Sequence, residues 1–114
     1  MEITKSEMQV YENIRGTVSA ARSKIVRTVN EAMVLTYWEV GKKISEAVGD
    51  RAEYGKQLLK YLSVNLAHDF GKGFDETNLR KMRQFYLRFP IRDAMRLELS
   101  WTQYRTLMRI MKHE

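Results

Sequence analysis

Between Asn78 and Lys112 the chain sets nine cations, Arg80, Lys81, Arg83, Arg88, Arg92, Arg96, Arg105, Arg109 and Lys112, against Asp93 and Glu98 alone. Seven of the nine are arginines, whose planar guanidinium suits phosphate oxygens and guanine edges better than generic solubility requires. On a helix, Thr77, Asn78, Arg80, Lys81, Gln84 and Arg88 would share the outward side, with Arg83 beside them. Those side-chain types read DNA: Arg or Lys on guanine, Asn or Gln on adenine, Thr on a phosphate or a thymine methyl. Lys72, Arg92, Arg96 and Arg105 flank the segment and would hold phosphates. The amino end of such a helix adds its own partial positive charge. Asp75 and Glu76 argue the other way, because they put negative charge at the end that would approach DNA.

Other chemistries have little to work with. The 114 residues include no cysteine and two histidines, His68 and His113, so disulfides, thiol nucleophiles and the usual zinc sites are excluded. A metal-dependent nuclease needs carboxylates and a lysine converging on a divalent ion, usually from strand ends, and no strand is expected. Asp93 and Glu98 read as surface carboxylates next to Arg92 and Arg96. His68 lies near a helix end, where a cation complements the dipole. Tyr37 and Trp38 could stack bases, but they lie in the neutral half and read as core; Met33, Met82, Met108 and Met111 read as core filling. The expectation is a chain without catalytic residues, metal or cofactor.

These side chains need helices to position them. One proline and few β-branched alternations make the pattern helical throughout, so the fold class expected is all-α. Tyr11, Ile14, Val18, Ala21, Ile25, Thr28, Ala32 and Leu35 recur at steps of three and four, and apolar positions continue through Trp38, Val40, Gly41, Ile44 and Val48. Residues 6–48 thus form one very long helix or a pair broken near Val29-Asn30. A second helix runs from Glu53-Tyr54 to Phe70, with Leu58, Leu59, Leu62, Leu66, Ala67 and Phe70 inward and Gly71 as its left-handed stop. Asp75 caps a third helix that Pro90 ends near Phe89, with Leu79, Met82 and Tyr86 buried and Phe85 and Phe89 at the edges. Ser100-Trp101-Thr102-Gln103 opens a last helix by a capping box.

Helix, glycine-containing turn, aspartate cap and basic helix is the layout of a helix-turn-helix. The whole chain reads as one helical domain, with residues 1–50 a long helical segment suited to oligomerisation and residues 51–114 the basic helix-turn-helix segment. Charge divides the same way: residues 1–50 balance to zero, and all of the formal +6 falls in residues 51–114. Forty helical residues are hard to cover within a domain of this size, which suggests a homo-oligomer through the N-terminal helix. The longest apolar run is four residues, so no membrane association is expected, and the chain reads as cytoplasmic.

The stretches Leu35-Thr36-Tyr37-Trp38-Glu39-Val40-Gly41-Lys42-Lys43-Ile44, Tyr54-Gly55-Lys56-Gln57-Leu58-Leu59 and Phe70-Gly71-Lys72-Gly73-Phe74-Asp75-Glu76-Thr77-Asn78-Leu79-Arg80-Lys81-Met82-Arg83-Gln84-Phe85-Tyr86 resemble the N-terminal domain of the bacterial YhcG family. Leu99-Ser100-Trp101-Thr102-Gln103-Tyr104-Arg105 resembles the same domain's end. The resemblance implies a helical, helix-turn-helix or winged-helix-like module that binds DNA ahead of a PD-(D/E)XK nuclease domain. The sequence ends at Glu114, before any such domain, so the family's metal-dependent active site is not carried over. The leading expectation is a DNA-docking module for duplex DNA. The alternative is an oligomerisation or protein-interaction domain that positions a separate catalytic domain. Recognition of RNA or of a DNA–protein junction is a third possibility.

Overall fold

The computed structural model describes residues 4–111. Four helices, α1 (Lys5–Val48), α2 (Ala52–Phe70), α3 (Glu76–Arg88) and α4 (Trp101–Met111), and a 3-10 turn at Arg92–Ala94 make up its regular structure. The all-α expectation holds. The described residues contain no strand, so the wing of a winged helix is not among them. Lys112 and His113 lie outside the described residues.

The first helix is single and unbroken through Val29-Asn30. Thr4 starts it by a capping box: its hydroxyl accepts from the Glu7 amide while the Glu7 carboxylate accepts from the Thr4 amide. Gly49, at φ 58°, ends it and donates its amide to the Ser45 carbonyl. Forty-four residues at about 1.5 Å each give a rod near 66 Å, which accounts for the 72 Å long axis of the molecule. The radius of gyration is 20.5 Å, against about 13 Å for a compact chain of this length.

Only the second half of the rod is covered. Val34, Trp38, Gly41, Ile44 and Val48 are buried, whereas residues 4–29 are exposed on every side. Spacing alone reads the apolar positions of α1 as one stripe on one face; the structure corrects this to two stripes on opposite faces. From Ala32 the apolar positions advance by three, to Leu35, Trp38 and Gly41. Each three-residue step falls about 60° short of a full turn, so the stripe winds halfway around the helix within three steps.

Gly41 fixes how α1 meets α3. A Cβ at Gly41 would lie 2.0 Å from the Met82 carbonyl oxygen and 3.2 Å from the Arg83 amide nitrogen, so the two backbones touch where only glycine leaves room. Gly55 plays a smaller part in the α1–α2 hairpin, its missing side chain leaving space for Val48.

In α2, Leu59 is buried and Leu58, Leu62 and Leu66 are half-buried. Ala67 and Phe70, expected inward, are exposed; the Phe70 ring only leans on Phe74, with centroids 6.0 Å apart. Gly71 does stop the helix, but at φ 81° and ψ −149° it occupies the extended positive-φ region, which is open essentially to glycine, rather than the left-handed helical one. Asp75 caps α3 by accepting from the Asn78 amide at 2.7 Å. The fully buried face of α3 is Leu79, Met82 and Phe85; Tyr86, expected there, is half-buried.

After Arg88 the chain turns at Phe89-Pro90, and the Phe89 carbonyl, freed from the helix ladder, accepts from the Trp38 indole N–H at 2.7 Å. Ser100 and Gln103 form the expected capping box at the start of α4. Tyr104 is buried, and its hydroxyl donates to the Arg96 carbonyl at 2.6 Å and accepts from the Arg96 amide at 2.7 Å, so it fixes the loop before α4. Burial is the main cause that raises the Tyr104 phenol above its ordinary value of 10.0. Trp38 and Met82 are core as expected, Tyr37 packs edge-on against Trp101, and Met33 is exposed.

Candidate nucleic-acid interface

The basic helix α3 is held from three sides, mainly by α1 and also by α2 and α4. With Leu79, Met82 and Phe85 fixed inward, the opposite side presents Thr77, Arg80 and Arg88 to solvent, with Lys81 and Gln84 half-exposed beside them. Among the described residues, none of Arg80, Lys81, Arg83 or Arg88 has a carboxylate within 4.0 Å. The cations of this face thus have no close ion-pair partner among the described residues, and Glu76, one turn before Arg80, is the acidic residue of the helix itself.

Two of the expected outward residues are turned to other work. Asn78 is half-buried: its amide N–H donates to the Gly73 carbonyl, and its side-chain oxygen accepts from the Trp101 indole at 3.2 Å. Both ends of the amide are thus engaged in joining the turn before α3 to the start of α4. Arg83 is half-buried and donates to the Gly49 carbonyl at 3.3 Å, placing a guanidinium at the carboxyl end of α1. That helix has no basic residue in its own last turn, and Arg83 joins Arg51, which donates to the Ala47 carbonyl at 2.7 Å, in placing positive charge at its carboxyl end.

The remaining candidates lie on separate elements. Lys72 is exposed in the turn and, with Gly73, Asp75, Glu76 and Thr77, lines an open cleft between the end of α2 and the start of α3. Arg92 is exposed at the 3-10 turn, and Arg96 is exposed and 3.6 Å from Glu98. Arg105 is exposed on α4. His68 lies 3.3 Å from Asp69 at the end of α2. Sequence reasoning misses Leu87, which is 54% exposed on the same side of α3 as Arg80 and Gln84. Its position seven residues after Arg80 is the signal that could have found it. No group of three or more His, Cys, Asp or Glu able to hold a metal occurs among the described residues, and no helix there is long and apolar enough to cross a membrane.

The described residues thus form a helical bundle without strands, with a cationic helix α3 beside the long projecting α1. A family profile described as the DUF1016 N-terminal domain matches residues 13–114, and the chain belongs to that family. It is 44% identical over 89 residues to the Escherichia coli (strain K12) protein named "Putative nuclease YhcG". The aligned part is 75% of this chain and 24% of that protein, so the chain spans about a quarter of its relative's length. The resemblance to the YhcG family seen in the sequence is thereby established, for the N-terminal domain of a nuclease-associated family. No solved structure matches the chain.

Proposed function

We propose that this domain docks a nuclease-family protein on duplex DNA through the outward side of α3. Arg80, Lys81, Gln84 and Arg88 would face the major groove, with Thr77 at the helix start on a phosphate. Lys72, Arg92, Arg96 and Arg105 would hold the backbone on either side. Asn78 and Arg83 act behind this face, by fixing the turn and the α1–α3 junction. The observation that carries the proposal is the absence of any carboxylate partner for the α3 cations among the described residues, since charges left unpaired on a rigid helix are free for phosphates. The relative's printed name, "Putative nuclease YhcG", fits a nucleic-acid partner.

Anisotropy of a labelled random duplex across a salt series tests it. The combined variant Arg80→Ala, Lys81→Ala and Arg88→Ala is expected to weaken binding at least about tenfold and to lower the salt slope by about 2 to 3, near 0.9 for each phosphate that is no longer neutralised. Affinity and slope unchanged from the parent chain would overturn the proposal.

A further inference from the structure

The stripe on the bare half of α1 is an apolar surface that the proposed function leaves unexplained. Val10, Tyr11, Ile14, Val18, Ile25 and Val29 are each 45–64% exposed, on a stretch of helix that touches little else. Helices in water depend on packing of their apolar face, and the described residues leave this one uncovered. Its steps alternate three and four: Tyr11, Val18 and Ile25 fall at one core position of a heptad, and Ile14, Ala21 and Thr28 at the other. Sustained over three heptads without a charged core residue, that is the pattern of a coiled-coil seam.

Direction decides the partner. At about 100° per residue, the seam lies roughly 170° around α1 from Val34, Trp38, Gly41, Ile44 and Val48, the residues that face the helical bundle. The 97–98 loop approaches α1 near Ser23, Arg27 and Asn30, also on the side away from the seam. Two copies can therefore meet seam to seam with both bundles outside the pair. Charges choose the orientation. In parallel pairing Arg15 faces the partner's Val10, Arg22 faces the partner's Thr17, and Lys24 faces the partner's Val29, so no like charges oppose. Antiparallel pairing centred on the stripe would set Arg15 against the partner's Arg22, a repulsive contact.

We propose that the N-terminal half of α1 pairs in parallel with a second copy of this chain, in register, holding two bundles on one side of a short coiled coil. The pairing does not depend on whether α3 meets DNA. Sedimentation of the full chain from about 1 to 100 micromolar should show a monomer–dimer equilibrium. The combined Val18→Glu and Ile25→Glu variant should sediment as a monomer, while its unfolding followed by the fluorescence of Trp38 and Trp101, both within the bundle, stays where it was. A chain without cysteine allows a clean orientation test. Under oxidation Ile14→Cys should cross-link to itself, because parallel register places position 14 beside its own copy. A parent chain that stays monomeric throughout that range overturns the proposal, and so does cross-linking of Ile14→Cys to Ile25→Cys in preference to itself.

Discussion

Single atoms set several of the strongest constraints on this domain. A methyl group at Gly41 would stand 2.0 Å from the Met82 carbonyl oxygen, and the obstacle is backbone, which no rotamer change can move aside. Gly41→Ala should therefore destabilise the bundle by about 3 kcal/mol, the upper range for overpacking, as read by urea unfolding. Asn78 joins the turn to Trp101 through both ends of its amide. Asn78→Ala leaves the Trp101 indole without its partner and should cost about 1–3 kcal/mol. Because Asn78 supports α3 instead of facing out, its loss should lower thermal stability more than it alters any preference among DNA sequences. Tyr104 gives a pH signature. Its phenol is raised above 10.0 in the fold chiefly by burial, so the folded state holds that proton more tightly than the unfolded chain does. The corresponding stability is complete below pH 10 and declines as pH rises beyond it. Tyr104→Phe should remove that share of the alkaline decline in a pH series of melting temperatures, at the cost of the two hydrogen bonds to Arg96. Asp75 and the Ser100–Gln103 box were legible because a cap needs only residues three apart. Asn78 and Arg83 were not, because Trp101 and Gly49, the groups they bind, are distant in sequence.

Among the elements, α3 joins fold and function most directly. Its inner side is settled by Leu79, Met82 and Phe85, and its outer side follows from them. Both Phe85 and Tyr86 continue the helical spacing from Met82, and spacing alone puts Tyr86 inside. The pocket made by Tyr104, Trp101 and Phe89 decides the matter, with the Phe85 ring 4.7 Å from Tyr104, 5.4 Å from Trp101 and 5.7 Å from Phe89. Phe85→Ala should accordingly cost about 3–5 kcal/mol in chemical denaturation, more than Tyr86→Ala. The contrast with surface charge is large. Arg96 and Glu98 are 3.6 Å apart and both mostly exposed, so Glu98→Gln should change stability by no more than about 0.5 kcal/mol.

For the whole molecule, the shape is that of a bundle on the end of a rod, and its two parts should respond differently to solution conditions. Amide hydrogen exchange over residues 5–29 should be fast at low protein concentration and slow as concentration rises, if a second copy covers the stripe; exchange in α3 should be slow at every concentration. Concentration-independent exchange in the rod would contradict the pairing. What the sequence determined by itself was local: an all-α chain with its last three helices and their ends, the caps at Asp75 and Ser100, the stop at Gly71, and the crowding of cations into the second half, while whether residues 6–48 form one helix or two was left to the structure. Each of these depends on residues within about one turn of one another, where backbone geometry leaves few choices. The tertiary structure alone decided which side of each helix meets a neighbour. It recruited Asn78 and Arg83 inward, left Phe70 outside, and covered α1 only from Val34 onward, because packing at those positions is set by elements far away along the chain.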